Sequence, residues 1–131
     1  MVNCGHVYFL FLPIAGKGKL VVPAFVDGNG KVRFFIINTN IWEPLTIRPE
    51  VLAHVFPLAP KNGNEKFLDR DCWLVCDEVY GGWTVDQIAA EKNCYRGPLD
   101  KATIAAVRAV IKESRLHPEP DKAAILAQWP D

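Results

Sequence analysis

Three apolar segments separated by turn residues open the chain. Aromatic and aliphatic residues fill His6–Leu12, Leu20–Val26 and Lys31–Thr39. The segment Asp27-Gly28-Asn29-Gly30 predicts a tight turn, because Asp-Gly and Asn-Gly tolerate positive φ. Pro23 predicts an edge or a bulge in the second segment, since proline cannot donate to a sheet ladder. The pattern predicts an antiparallel β-meander.

The third predicted strand has two different faces. Val32, Phe34 and Ile36 make one face wholly apolar. The alternate positions mix charged, apolar and polar residues: Lys31, Arg33, Phe35, Ile37 and Thr39. We therefore expect one face in a core and the other against solvent, a partner or a substrate.

The middle of the chain is rich in proline and less regular. Asn40–Asn64 contains four prolines and is predicted as a loop, within which Val51–Phe56 is able to pair with the sheet. Cys72–Cys76 is an unbroken apolar run. It predicts a buried strand that ends at Gly81-Gly82.

The apolar period changes from 2 to 3.6 in the last third of the chain. Val85–Glu91 predicts either a helical turn or a final strand edge, and Asp100 is the predicted N-cap of an amphipathic helix over Ala102–Ser114. A short helix is predicted over Lys122–Gln128. Strands followed by helices are typical of an α+β fold or a small barrel. We expect one domain over residues 1–131, with a barrel at about 4–80 and helices at about 84–131.

Length and charge narrow the function classes. The chain has 131 residues, 50% of them hydrophobic, with 15 basic and 15 acidic side chains. The balance holds in both parts of the chain: residues 1–80 carry eight of each sign and residues 81–131 seven. Nucleic-acid binding driven by bulk charge is therefore excluded, and any RNA contact has to be local.

The longest nearly unbroken apolar run is Val7–Ala15. It is far shorter than the roughly 20 residues that span a bilayer, and no basic segment precedes it as in a signal peptide. We expect a cytoplasmic protein without a membrane partner.

Four cysteines, Cys4, Cys72, Cys76 and Cys94, are too few and too scattered for a disulfide scaffold. On a strand, the sulfurs of Cys72 and Cys76 would lie about 13 Å apart at roughly 3.3 Å per residue, which does not suit structural zinc. Buried, reduced cysteines are the main prediction, with a metal site or a disulfide as alternatives. We expect no cofactor and no metal.

The order of these elements resembles the PemK/MazF-like plasmid-maintenance toxins. The similar features are an aromatic strand after an early histidine, a hairpin leading to a strand that ends at Asn38-Thr39, the segment Phe67–Leu74, and a Gly-Pro-Leu turn before the helices. The resemblance implies a small SH3-like β-barrel with C-terminal helices. It also implies metal-independent cleavage or binding of single-stranded RNA, a homodimer and an antitoxin-like protein partner.

RNA cleavage without metal needs a base, a cation for the phosphorane charge and a donor for the leaving oxygen. The resemblance places a polar contact to the scissile phosphate at Thr39 and Asn38. His6 is the candidate base, with a pKa of about 6.5 when unperturbed. Arg70 is the candidate catalytic cation. Further substrate-binding cations are predicted at Lys17, Lys19 and Lys66.

Each of these residues also has a structural interpretation. His6 suits a strand start bonded to backbone, Asn38-Thr39 suits a turn, and Asp69-Arg70-Asp71 suits a solvated ion-pair cluster. Trp42 suits either base stacking or a core or interface anchor. His54 and His117 are predicted to be structural.

The sequence also departs from the toxin pattern. The arginine expected after the first strand is replaced by Lys17 and Lys19, and the histidines of a later motif are replaced by Glu65 and Arg70. These departures favour a second hypothesis, a non-catalytic protein-interaction module or inactive relative from a mobile element.

Overall fold

The chain begins with the predicted meander. A computed structural model describes residues 2–40 and 48–131. Strand β1 spans His6–Leu12, β2 spans Lys17–Val26 and β3 spans Lys31–Asn38, all antiparallel. In the β2–β3 turn, Asp27 Oδ1 accepts from the backbone N–H groups of Asn29 (2.8 Å) and Lys31 (3.0 Å). This Asx turn is the chemistry that the sequence predicts there.

Pro23 follows the part of β2 that pairs with β1. The ladder with β1 covers residues 17–21, whereas the pairing with β3 includes Pro23 and its register shifts between Pro23 and Phe25. The predicted bulge is therefore confirmed, and the edge alternative holds locally because the ladder with β1 ends before Pro23. The Pro23 carbonyl accepts from Gly5 N–H (3.1 Å) on that side, so the N–H that proline lacks does not interrupt the ladder with β3.

Three more strands complete an open antiparallel sheet. Strand β4 spans Val55–Leu58, β5 spans Cys72–Thr84 and β6 spans Tyr95–Pro98. The strand order is β4-β5-β3-β2-β1-β6, so β4 and β6 form the two edges. Within the described residues the sheet is not closed, and the SH3-like barrel stays a prediction.

Strand β5 is much longer than the predicted run at Cys72–Cys76. It continues through Gly81 and Gly82, pairing Lys31 with Thr84, and two register shifts against β3 adjust the ladder along the way. Gly81 and Gly82 do not end the strand because β3 pairs with it on both sides of them, at Tyr80 and Trp83. The expected end at Gly81-Gly82 is wrong.

In the part of the chain that the structure describes, four helices and one 3₁₀ turn (Pro60–Asn62) connect or follow the strands. Helix α1 spans Pro49–Leu52, α2 Val85–Ala90, α3 Lys101–Glu113 and α4 Glu119–Gln128. The helical alternative for Val85–Glu91 is confirmed, and a capping box between Thr84 and Gln87 starts α2. Strand β6, which falls in the region predicted as helical, is held by its pairing with β1.

Strand β3 is buried on both faces. Phe35 and Ile37 belong to a core with α3 and α4, whereas Val32 and Phe34 belong to a second core that includes Ile88 of α2. The mixed face is therefore buried in its centre, at Phe35 and Ile37, and the expected open face is confirmed only at its ends, where Lys31 and Thr39 are exposed. Helices cover both sides because β3 lies in the middle of the sheet.

All four cysteines are buried and unbridged, as the main prediction has it. Residues 2–40 and 48–131 contain no helix that combines the length and the apolar character needed to cross a membrane. The same residues contain no group of three or more His, Cys, Asp and Glu side chains arranged to hold a metal ion.

Asp100 caps α3, as predicted, and also anchors a loop. Its carboxylate accepts from Thr103 N (3.0 Å), Thr103 Oγ1 (2.8 Å) and Nδ2 of the buried Asn64 (3.0 Å). We expect Asp100→Ala to lower the free energy of unfolding by about 1–2 kcal/mol, measured by urea denaturation. The matched control Asp69→Ala removes an exposed carboxylate, and an equal loss in both variants would contradict the capping role.

Candidate functional site

An open cleft of about 630 Å³ lies at the end of the sheet where β3 finishes and β5 begins. Its lining includes four of the predicted site residues, Lys17, Lys19, Asn38 and Thr39. The strand register explains this convergence. Val21 pairs with Ile36, which puts Lys19 opposite Asn38, and Asn38 in turn pairs with Trp73 of β5.

The floor of the cleft is apolar. Phe9, Leu20 and Ile37 line it from three neighbouring strands. By strand alternation they share the face of the sheet that carries the core under α3 and α4. The helices cover that core around Val7 but leave the ring of Phe9 45% exposed.

Phe9 is held between a backbone and a cation. Its ring lies over Gly18, where a Cβ would approach Phe9 Cζ to 2.5 Å, so only glycine fits beneath it. Arg96 of β6 places its guanidinium carbon 5.6 Å from the ring centroid. Phe11, two residues along the same face of β1, is 53% exposed. The face thus carries two exposed aromatic rings, of which that of Phe9 is held in place.

The lysines form an edge of the cleft. Because side chains alternate along a strand, Lys17 and Lys19 point to the face of the sheet opposite that of Phe9. At this end of the sheet, β1 and β2 extend past Asn38, the last residue of β3. Lys19 Nζ donates a hydrogen bond to Asn38 Oδ1. Burial, and secondarily the charge of Lys17, lower the pKa of Lys19. No ion pair among the described residues includes either lysine, so an anion here would be favourable for both.

His6 lies away from the cleft. His6 is four residues from Leu10, and Leu10 pairs with Lys19. His6 therefore lies about 13 Å along β1 from the position opposite Lys19. Its Nδ1 is 2.7 Å from the hydroxyl of Tyr95, and burial lowers its pKa. The structure therefore does not bring the predicted base to the predicted phosphate contacts.

Arg70 and Lys66 lie in the segment before β5, outside the lining of the cleft. Arg70 Nε is 3.2 Å from Asp69 Oδ1, and both side chains are largely exposed. This geometry matches the solvated ion pair that the sequence offers as the alternative for Arg70. Cys72, two residues on, does line the cleft and contacts the carbonyl of Arg70. Trp42 lies outside the described residues.

Three side chains of this site were missed by the sequence analysis: Phe9, Phe11 and Arg96. Every position of β1 from Val7 to Leu12 is apolar, so no alternation marks which residues face outward. Arg96 reaches Phe9 only because β6 returns to pair with β1. The residues around Arg96 in the sequence give no indication of that contact.

Neither protein-family models nor curated proteins gave a match to this chain. The resemblance to PemK/MazF-like toxins stays a prediction that rests on the residues quoted for it.

Lys17→Gln tests the electrostatics of the cleft edge. We expect the pKa of Lys19 to rise part of the way toward 10.5, because a like charge is removed while the larger effect, burial, remains. The measurement is an NMR titration of the lysine side chains. Lys112→Gln, the same change on the exposed side of α3, is expected to leave Lys19 unaltered, and an unaltered Lys19 in Lys17→Gln would contradict the coupling.

Proposed function

We propose that the cleft and the adjoining face of β1 bind single-stranded RNA. The observation that carries the proposal is the ring of Phe9, exposed beside Arg96 in a cleft edged by Lys17 and Lys19. Proteins that bind single strands combine such aromatic platforms with cations that follow the backbone. The resemblance to PemK/MazF-like toxins, with their SH3-like barrel, also supports an RNA ligand.

The aromatic residues supply most of the expected affinity. Stacking of a base on an aromatic side chain contributes about 1–3 kcal/mol. Phe9 and Phe11 lie two residues apart on one face of a strand, so their rings can receive two bases of one extended chain. The ring of Phe9 is already positioned by Gly18 and Arg96, which reduces the ordering cost on binding.

The polar groups of the cleft suit a ribonucleotide backbone. Lys17, Lys19 and Arg96 offer three local cations, in a chain with no net charge. Thr39 and Asn40 are exposed at the rim and carry hydroxyl and amide groups able to bond a 2′-hydroxyl, the group that distinguishes RNA from DNA.

The geometry favours binding over cleavage. No histidine, aspartate or glutamate is among the described residues that line the cleft, and His6 is held at the other end of β1. Thr39 and Asn38 are suited to contact a phosphate, but a base to take the 2′-hydroxyl proton is not beside them. We therefore propose an RNA-binding protein, regulated by an antitoxin-like partner as the toxin resemblance implies.

RNA binding is tested with a fluorescent single-stranded RNA of about 12 nucleotides, read by anisotropy at several salt concentrations. We expect Phe9→Ala to weaken binding roughly 5- to 150-fold through lost stacking. Lys19→Gln should weaken it and reduce the salt slope by about 0.7, because one phosphate contact is lost. The control Lys112→Gln removes the same charge from an exposed residue of α3 and should leave binding unchanged.

Four outcomes would count against this proposal. Absence of binding, or equal binding by Phe9→Ala and wild type, would overturn the site. A DNA strand of the same sequence that binds as tightly would remove the RNA preference. RNA cleavage in EDTA that is lost in Thr39→Ala would replace binding with the catalytic hypothesis.

A protein-interaction role is the second candidate, and the tip of the β1–β2 hairpin favours it. Ile14 at the tip is 76% exposed and follows the exposed Phe11. Clustered exposed apolar side chains are typical of an interaction surface. A homodimer or a bound partner peptide would cover them.

Ile14→Asp tests the hairpin tip as a homodimer interface. We expect the variant to shift from dimer to monomer in light scattering after gel filtration, because a charge would be buried at the interface. Leu52→Asp places the same charge on an exposed leucine of α1 and should not shift the mass. A monomeric wild type, or a dimeric Ile14→Asp, would exclude this tip as the dimer contact.

A further inference from the structure

A serine and a histidine meet on the far side of α3 from the cleft. Ser114, the only serine in the chain, follows α3, and His54 follows α1. Ser114 Oγ is 2.7 Å from His54 Nε2, and both residues are buried, at 5% and 4% exposure. Their sequence separation of sixty positions makes this a contact of the tertiary fold.

The hydrogen bonds fix the roles of the two side chains. His54 Nδ1 is 2.7 Å from the carbonyl oxygen of Glu50, which can only accept, so Nδ1 carries the proton. Nε2 is then the acceptor, and the Ser114 hydroxyl donates to it. The N–H of Leu116 donates to Ser114 Oγ (3.1 Å). This is the nucleophile–base–orienting group arrangement, with a backbone carbonyl in the third position.

The surroundings favour the neutral form of His54. Burial is the largest influence and lowers its pKa, and His117, whose ring lies 5.9 Å away and bonds the Cys76 carbonyl through Nε2, acts in the same direction. The hydrogen bond to the Glu50 carbonyl and the nearby Asp77 raise the pKa, but each is a smaller influence than burial. A neutral imidazole with a free Nε2 lone pair is the form that can take a proton from serine.

A pocket of about 470 Å³ opens beside the pair, between α1 and the end of α3. Its walls are mostly apolar, with Ala53, Ala109 and Val110 among them. Charged residues also line it: Glu50, Glu113 and Arg115. The two carboxylates disfavour an anionic ligand, whereas the apolar wall suits a short hydrocarbon chain.

We propose that Ser114 and His54 form a nucleophile–base pair that reacts with uncharged carboxylic esters of short apolar acids. Ser114 Oγ forms a bond to the acyl carbon and gives its proton to His54 Nε2. The bond from that carbon to the alcohol oxygen breaks, and the proton passes to the departing alcohol. Water then hydrolyses the acyl-serine by the reverse proton path, which restores the hydroxyl and releases the acid.

This activity is independent of RNA binding, because no residue lines both pockets. Arg115 is the cation available to the developing oxyanion. The sequence analysis assigned His54 a structural role. It missed the pair because no sequence motif links the two residues.

An alkyl fluorophosphonate tests the pair on the purified full chain. Attack by Ser114 Oγ displaces fluoride, and intact-mass and peptide mass spectrometry should find one adduct, at Ser114. Hydrolysis of p-nitrophenyl butyrate should be lost with the same modification. We expect His54→Gln to slow labelling by at least about 100-fold, as for loss of a general base. The control Lys92→Gln changes an exposed residue that lines neither pocket, and it should label at the wild-type rate.

The pH profile of the wild type makes the test independent of how the variants fold. The labelling rate should fall with acid in step with protonation of His54, followed by NMR, because the imidazolium cannot accept the serine proton. The proposal would be overturned if no adduct formed at Ser114 or if folded His54→Gln were labelled at the wild-type rate. A labelling rate that did not change as His54 titrates would also overturn it.

Discussion

Burial of β3 on both of its faces is the constraint on which the rest of the fold depends. Phe34 and Phe35 are consecutive, point to opposite sides and are both fully buried. Each side therefore needs its own cover, which α3 and α4 supply for one core and α2 for the other. With both faces occupied at the centre, open surface is left only at the outer strands and at the ends of the sheet.

The candidate RNA site follows from that constraint. On the face of the sheet that carries Phe35, α3 and α4 reach β1 only at Val7, so Phe9 and Phe11 stay exposed there. The hairpin of β1 and β2 also extends past Asn38, the last residue of β3, which leaves Lys17 without a β3 neighbour beside the last paired position, Lys19. Because the chain has no net charge, attraction of an anion depends on these few local cations.

Local chemistry made part of this structure predictable. The Asp27 turn and the Asp100 cap each depend on residues within four positions of one another. What failed depends on distant partners. Strand β5 continues through Gly81 and Gly82 because β3 pairs with it on both sides of them. The mixed face of β3 is buried at Phe35 and Ile37 by α3 and α4, which follow much later in the chain, and the pattern beginning at Lys31 does not reveal this cover.

The serine–histidine pair illustrates why such a site needs the whole fold. Both segments that carry it are fixed to one peptide region of β5: Cys76 N–H donates to the His54 carbonyl (2.8 Å), and the Cys76 carbonyl lies 2.7 Å from His117 Nε2. Strand β5 therefore fixes the position of the loop after α1 relative to the turn after α3. Because the carbonyl can only accept, His117 donates to it from Nε2, and this bond fixes the turn after α3 to β5. A pair positioned from both sides by one buried strand loses little entropy on reaction, which is the preorganisation that a nucleophile requires.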